Sequence, residues 1–147
     1  MIKKNYRIEL IKNLCKDKNV LDLGCVDHDS RLERNDLWLH KHIKNVANNL
    51  IGVDYLREEV ENLKKKGYNI IFANVENFDL NKKFDIIVAG ELIEHLENPG
   101  KFLDSVKKHM HKDSILIITT PNCFSIRRMI GVIFFGKLKE NREHVAY

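Results

Sequence analysis

The segment Asn19-Val20-Leu21-Asp22-Leu23-Gly24-Cys25 constrains this chain more than any other. Val20 to Leu23 has the length and apolar character of a short buried strand. It ends in an acid, a spacer and a glycine. A carboxylate at the end of a buried strand is costly unless donors or a ligand meet it. A glycine there lets a ligand approach the backbone with no Cβ in the way. Near the start of an α/β domain, a strand with this ending usually abuts a nucleotide-like ligand.

The rest of the chain alternates strands with helices. Asn5 to Lys16 is expected to be a lead-in helix, with Ile8, Ile11, Leu14 and Cys15 on one face. After Gly24 comes a polar loop, Asp27-His28-Asp29-Ser30-Arg31, and then a helix from about Asn35 to Asn48. Leu50-Ile51-Gly52-Val53-Asp54 reads as a second strand that also ends in an acid. Glu58 to Lys66 reads as a helix that Gly67 stops, and Tyr68 to Ala73 as a third strand. Phe84-Asp85-Ile86-Ile87-Val88-Ala89 is a fourth strand, followed by a helix that Pro99 opens and that runs to about His111. Ser114 to Thr119 is the fifth strand, broken by Thr120-Pro121-Asn122, with a last apolar helix from about Ser125 to Phe135.

Strands apolar on both faces, alternating with helices, imply an α/β, doubly wound, mostly parallel sheet of about five strands. The chain divides into a lead-in helix over 1–17, a core over 18–125 and an apolar helix and tail over 126–147. Ligands of such a sheet bind beyond the strands' carboxyl ends, where the strand order reverses. Asp22, Asp54, Asn74 and Glu91 all fall at or just after those ends, so connectivity gathers them on one rim.

Bulk properties narrow the field. At 147 residues the chain is one domain that can bury a core without staples. The net charge of +4 is spread over scattered lysines rather than a stripe, so no nucleic-acid partner is expected. The odd count of three cysteines (Cys15, Cys25 and Cys123) indicates neither a disulfide framework nor a CxxC metal site, and fits a reducing, cytoplasmic setting. The apolar run Met129 to Phe135 is too short for a transmembrane segment, and the polar N-terminus does not open a signal peptide.

Several segments together resemble the class I S-adenosylmethionine-dependent methyltransferases. Val20-Leu21-Asp22-Leu23-Gly24-Cys25 is similar to that family's first motif and Ile51-Gly52-Val53-Asp54 to its second. Asn74-Val75-Glu76 resembles the adenine-contacting segment. Phe84 to Leu96, followed by Asn98-Pro99-Gly100, resembles the post-strand motif of the ubiquinone-type branch, and Thr119-Thr120-Pro121-Asn122 that branch's segment after the fifth strand. The likeness covers roughly residues 18–125.

The resemblance implies roles. S-adenosylmethionine is the cofactor and a small molecule or glycan the methyl acceptor. Asp22 and Gly24 hold the amino and methionine end, with Cys25 beside them among the cofactor-binding residues, Asp54 binds the ribose hydroxyls, and Asn74 and Val75 flank the adenine. Glu91 lies near the sulfonium, while Glu94 and His95 are the nearest candidates for a catalytic base. Each has an ordinary reading beside it: Asn74 as a turn residue, Glu94 as a helix first-turn acid, His95 as a cap, and Cys25 as a small core hydrophobe.

Two departures from the family's pattern bear on the cofactor. Val26 and His28 stand where the first motif usually carries two further glycines. Asp54 follows Gly24 by 30 residues, against roughly 20 in the dinucleotide fingerprint. The added length reads as a modified cofactor lip closed by His28 and the Trp38-Leu39-His40 cluster.

Other readings stay open. Glu91, Glu94 and His95, at i, i+3 and i+4, would share one helical face and suit a divalent metal with His144 as a fourth ligand. A non-catalytic cofactor-binding or scaffold domain is the alternative to an enzyme. A dinucleotide-binding oxidoreductase is disfavoured, because GxGxxG is absent. The sequence ends at Tyr147, before the two-stranded hairpin that completes the family's sheet. Ile115 to Ile118 is then expected to be an apolar edge open to self-association or a partner strand.

Overall fold

A computed structural model of the chain describes residues 2–26 and 37–122. The loop with His28, the expected helix over Ser125–Phe135, Cys123 and His144 lie outside the described residues. Within them the order is α1 (Ile2–Cys15), β1 (Asn19–Leu23), α2 (Leu39–Lys44), β2 (Asn49–Asp54), α3 (Arg57–Lys65), β3 (Ile70–Phe72), β4 (Phe84–Gly90), a single 3-10 turn (Ile93–His95), α4 (Pro99–Lys108) and β5 (Met110–Thr119).

The five strands form one parallel sheet in the order β3-β2-β1-β4-β5. The chain therefore winds outward from β1 through β2 to β3, then crosses to build β4 and β5 on the other side. The reversal of direction falls between β1 and β4, as the strand pattern predicts, and their carboxyl ends border the crevice that such a reversal creates. Register sets Asp22 opposite Gly52 on one side and Val88 on the other.

Alternation along the strands decides which helix each face receives. Leu21, Leu23, Ile51, Val53, Ile87 and Ala89 bury one face against Phe102 and Val106 of α4, with Val75 and Phe78 from the loop after β3. Val20, Ile86 and Val88 bury the other against Ile11 and Cys15 of α1 and Ile43 of α2. Beside them, Val60 and Leu63 of α3 pack with Cys25, Val26, Trp38 and Ile70. Asp22 belongs by parity to the α1–α2 face.

Several expected boundaries shift, each for a local reason. Leu14 is 41% exposed, because i+6 from Ile8 has rotated off the stripe that Ile8, Ile11 and Cys15 bury. Of the helix expected over Asn35 to Asn48, the described residues from 37 onward are helical over Leu39–Lys44. Asp17 N–H donates to Val46 O, and the N–H groups of Asn48 and Asn49 donate to Lys18 O, drawing the chain out of the helix and into β2 beside β1. Helix α4 starts at Pro99 as expected, with Asn98 Oδ1 accepting Lys101 N–H as its cap. It stops before His111, because Phe84 N–H pairs with His109 O and β5 begins at once.

Among the described residues β5 is an edge of the sheet, with Ile115 and Ile118 exposed. Among the described residues no helix is long and apolar enough to cross a membrane.

Candidate functional site

The carboxyl ends of β1 and β2 carry the two acids that the strand endings pointed to. Asp22 and Asp54 are each 3% exposed. Asp54 Oδ2 accepts Val26 N–H at 2.9 Å and its Oδ1 accepts Leu56 N–H at 3.0 Å. Burial pushes the Asp54 carboxyl up from the ordinary range, those backbone donors oppose the shift, and the Asp22 charge adds to it. Asp22 takes a different partner: His40 Nδ1 lies 2.9 Å from its Oδ2.

Gly24 turns the chain off β1 with φ +65°, in the left-handed region, and its N–H is held by Val53 O. A Cβ there would stand 2.7 Å from Leu92 Cδ1, so the side chain at the β4 exit lies directly on this turn. Gly52 has the same use one strand over: a Cβ would meet Cys25 Sγ at 2.6 Å and His40 Cε1 at 3.0 Å. The departure from the glycine-rich pattern is therefore built into packing. Val26 is 8% exposed and joins the core, with its N–H on Asp54.

Cys25 is buried between the two acids, and its thiol is pushed well above the ordinary range by burial first and by Asp22 and Asp54 next. It has the character of a small core residue. Cys15 behaves alike: burial, then the Asp22 charge, pushes its thiol up to about 12. In the unfolded chain the same thiol ionises near 9.0. The unfolded state thus loses this proton first, and the thiol's contribution to stability, whole below pH 9, falls away as pH rises toward 12. Urea melts across this range should show that decline, and Cys15→Ala should lessen it, leaving the share that the Cys25 thiol contributes.

Beyond β3, Asn74 is exposed and its Oδ1 accepts Glu76 N–H at 2.8 Å, closing a local turn. The Val75 side chain is buried in the core, so only its backbone is left to meet a ligand. This segment is tied to α4: Ser105 Oγ donates to Glu76 O at 3.0 Å, and Glu76 Oε1 accepts Asn98 N–H at 2.9 Å. His109, fully buried and stacked on Phe78, accepts Leu80 N–H.

After β4 the structure corrects one expectation. Glu91, Glu94 and His95 do not share a helical face. Glu91 adopts φ +55°, outside any helix, and only Ile93–His95 form a single 3-10 turn. The cause is tertiary: Glu91 N–H donates to Thr119 O at the end of β5, and Arg7 of α1 pairs with Glu91 Oε1 and Thr119 Oγ1. Among the described residues no three His, Cys, Asp or Glu side chains gather closely enough to hold a metal. Glu94 is exposed and His95 half-buried in the segment that follows β4.

Two site residues had little or no signal in the sequence. Arg7 sits in a lead-in helix 84 positions from Glu91. His40 belonged to a cluster expected at the cofactor lip, but nothing in its spacing pointed to Asp22.

The comparisons with known proteins agree with this geometry. The chain belongs to the methyltransferase-domain family, which it matches over residues 4–145. It is 30% identical over 101 residues to (S)-tetrahydroprotoberberine N-methyltransferase of Eschscholzia californica, covering 69% of this chain and 29% of that protein. It is 27% identical over 144 residues to ubiquinone biosynthesis O-methyltransferase of Rickettsia bellii (strain OSU 85-389), covering 90% and 55%. Among solved structures, plantazolicin methyltransferase BpumL in complex with SAH superposes with a TM-score of 0.62 at 22% identity, covering 88% of this chain and 49% of that one. The chain thus spans less than two thirds of the length of these relatives.

Proposed function

We propose that the chain binds S-adenosylmethionine across the carboxyl ends of β1 and β2, and passes its methyl group to a nitrogen or oxygen of a small-molecule or glycan acceptor. One observation carries the reading: Asp22 and Asp54, both buried, end adjacent strands beside the left-handed turn at Gly24. Burial first, and the Asp22 charge with it, disfavours the ionised Asp54 carboxylate, a costly arrangement for a fold alone. An ammonium and a ribose diol relieve it. Asp54 already takes two backbone N–H groups, but an ionised carboxylate has about four acceptor sites, which leaves room for two hydroxyls.

The residues fit the cofactor in sequence along the rim. Asp22 receives the amino end, with Gly24 and Cys25 shaping the turn beneath it. Asp54 receives the ribose, and Asn74 and the Val75 backbone border the adenine. When bound, S-adenosylmethionine supplies a methyl group on a sulfonium, an electrophile that needs orientation more than covalent help. The chain's part is then to hold the acceptor in line. Glu91, fixed by Arg7 and Thr119, forms a polar wall on that side. A left-handed backbone at a residue other than glycine costs about 1–2 kcal/mol and is kept where the surroundings impose it. In this reading Glu94 or His95 takes a proton from an acceptor hydroxyl or ammonium.

Relatives that methylate nitrogen and relatives that methylate oxygen support both acceptor types. Calorimetric titration of the full chain with S-adenosylmethionine, S-adenosylhomocysteine and NAD tests the cofactor. Binding of the first two and not of NAD is expected. Binding of none would favour a scaffold domain, and binding of NAD alone would overturn the reading in favour of a dinucleotide site.

A further inference from the structure

The long interval between Gly24 and Asp54 delivers two side chains onto the end of β1. Trp38 Nε1–H donates to Cys25 O at 2.8 Å, in the turn that follows the strand. Two residues on, His40 meets Asp22. Their side chains are 1% and 4% exposed, so the contact is made away from water, where a hydrogen bond holds its direction best. An ionised carboxylate has no hydrogen to give, so Nδ1 carries it and donates.

The imidazole is itself held on three sides. It stacks on Trp38 with ring centroids 5.5 Å apart, tilts against Tyr68 at 6.0 Å, and fits over Gly52, where any Cβ would crowd it. Among the described residues, Cys15, Cys25 and Asp54 feel the Asp22 charge, and each is an acid with no positive charge to offer it. His40 is the described side chain hydrogen-bonded to this carboxylate.

We propose that His40 is a positioning residue for the cofactor: it fixes the Asp22 carboxylate in the orientation that receives the amino group of S-adenosylmethionine. The inference rests on the cofactor reading above and adds to it a residue that acts through another.

Titration of the full chain with two ligands tests it. S-adenosylhomocysteine carries the amino-acid end; methylthioadenosine keeps adenine, ribose and sulfur and lacks that end. His40→Ala is expected to weaken S-adenosylhomocysteine about tenfold and methylthioadenosine less than about twofold. His40→Asn, whose amide falls near the position of Nδ1, should recover most of the loss. His40→Gln, whose amide falls near Nε2, should keep it. These two variants carry the comparison if the alanine variant fails to fold. Adding His40→Ala to Asp22→Asn should cost little more than Asp22→Asn alone, since both remove one interaction. Equal weakening of the two ligands would mark a merely structural role and overturn the proposal, as would no weakening of either or a failure of His40→Asn to recover. A wild-type chain that binds neither ligand removes the cofactor reading itself, and this inference with it.

Discussion

Replacing Asp54 by alanine should raise the dissociation constant for S-adenosylhomocysteine at least about a hundredfold, the largest binding effect of any single change in this chain. The carboxylate does two jobs at once. It accepts the N–H groups of Val26 and Leu56, and in the proposed complex it also accepts the ribose hydroxyls. Losing it strands two donors at a buried position, at about 1–3 kcal/mol each before water relieves them, and removes a repulsion with Asp22 that partly offsets the cost. A net loss of about 2 kcal/mol in urea melts is expected. Asp54→Asn separates the two jobs. Its carbonyl keeps one of the donors, and the charge that burial disfavours is gone, so stability should fall less while ribose binding stays weak. Affinity that survived Asp54→Ala in a folded chain would remove Asp54 from the cofactor site.

The largest expected loss of stability lies away from that rim. Phe102, on α4, is fully buried against the sheet face formed by Leu21, Leu23, Ile51, Val53, Ile87 and Ala89. Phe102→Ala removes its transfer free energy and leaves a cavity that a parallel sheet cannot collapse into, a loss of about 3–5 kcal/mol. Domains of this kind hold about 5–15 kcal/mol in all, so much of the margin goes with one ring. The urea midpoint should fall by more than about 1 M. Below the new transition, affinity for S-adenosylhomocysteine should fall far less than in Asp54→Ala, because α4 covers the face opposite Asp22 and reaches the proposed cofactor rim through the segment at Val75 and Glu76. A midpoint within experimental error of wild type would mean that Phe102 is not the centre of this core.

The sheet was legible because its evidence is local. Four of its five strands are runs of branched and aromatic residues, and β1, β2 and β4 fall within a residue or two of where those runs predict. The acids at the ends of β1 and β2, and the glycine after β1, were equally plain, since strand parity and a turn requirement can be read from neighbouring residues. The segment after β4 was not. Glu91-Leu92-Ile93-Glu94-His95 has helical spacing, yet Glu91 N–H is taken by Thr119 O, 28 positions away, and the backbone turns left-handed before a helix can start. Residues 45–48 were misread for a similar reason, as the turn at Asp17 and Lys18 captures that segment and ends α2 early.

By itself the sequence determined the parallel sheet, the reversal at β1 and the pair of acids at its rim, because strand period, crossover handedness and strand-end chemistry depend on residues close together in the chain. Only the tertiary structure decided which groups those acids meet. Asp54 takes the backbone of Val26 and Leu56, Asp22 takes His40, and Glu91 takes Arg7 of α1, 84 positions away. Such pairs form where crossovers happen to bring distant helices over a strand end, and no local spacing records them. The turn after Gly24 shows both sides of this division. Its lost glycines were visible in the sequence, and the indole that fastens it was visible only once the chain had folded.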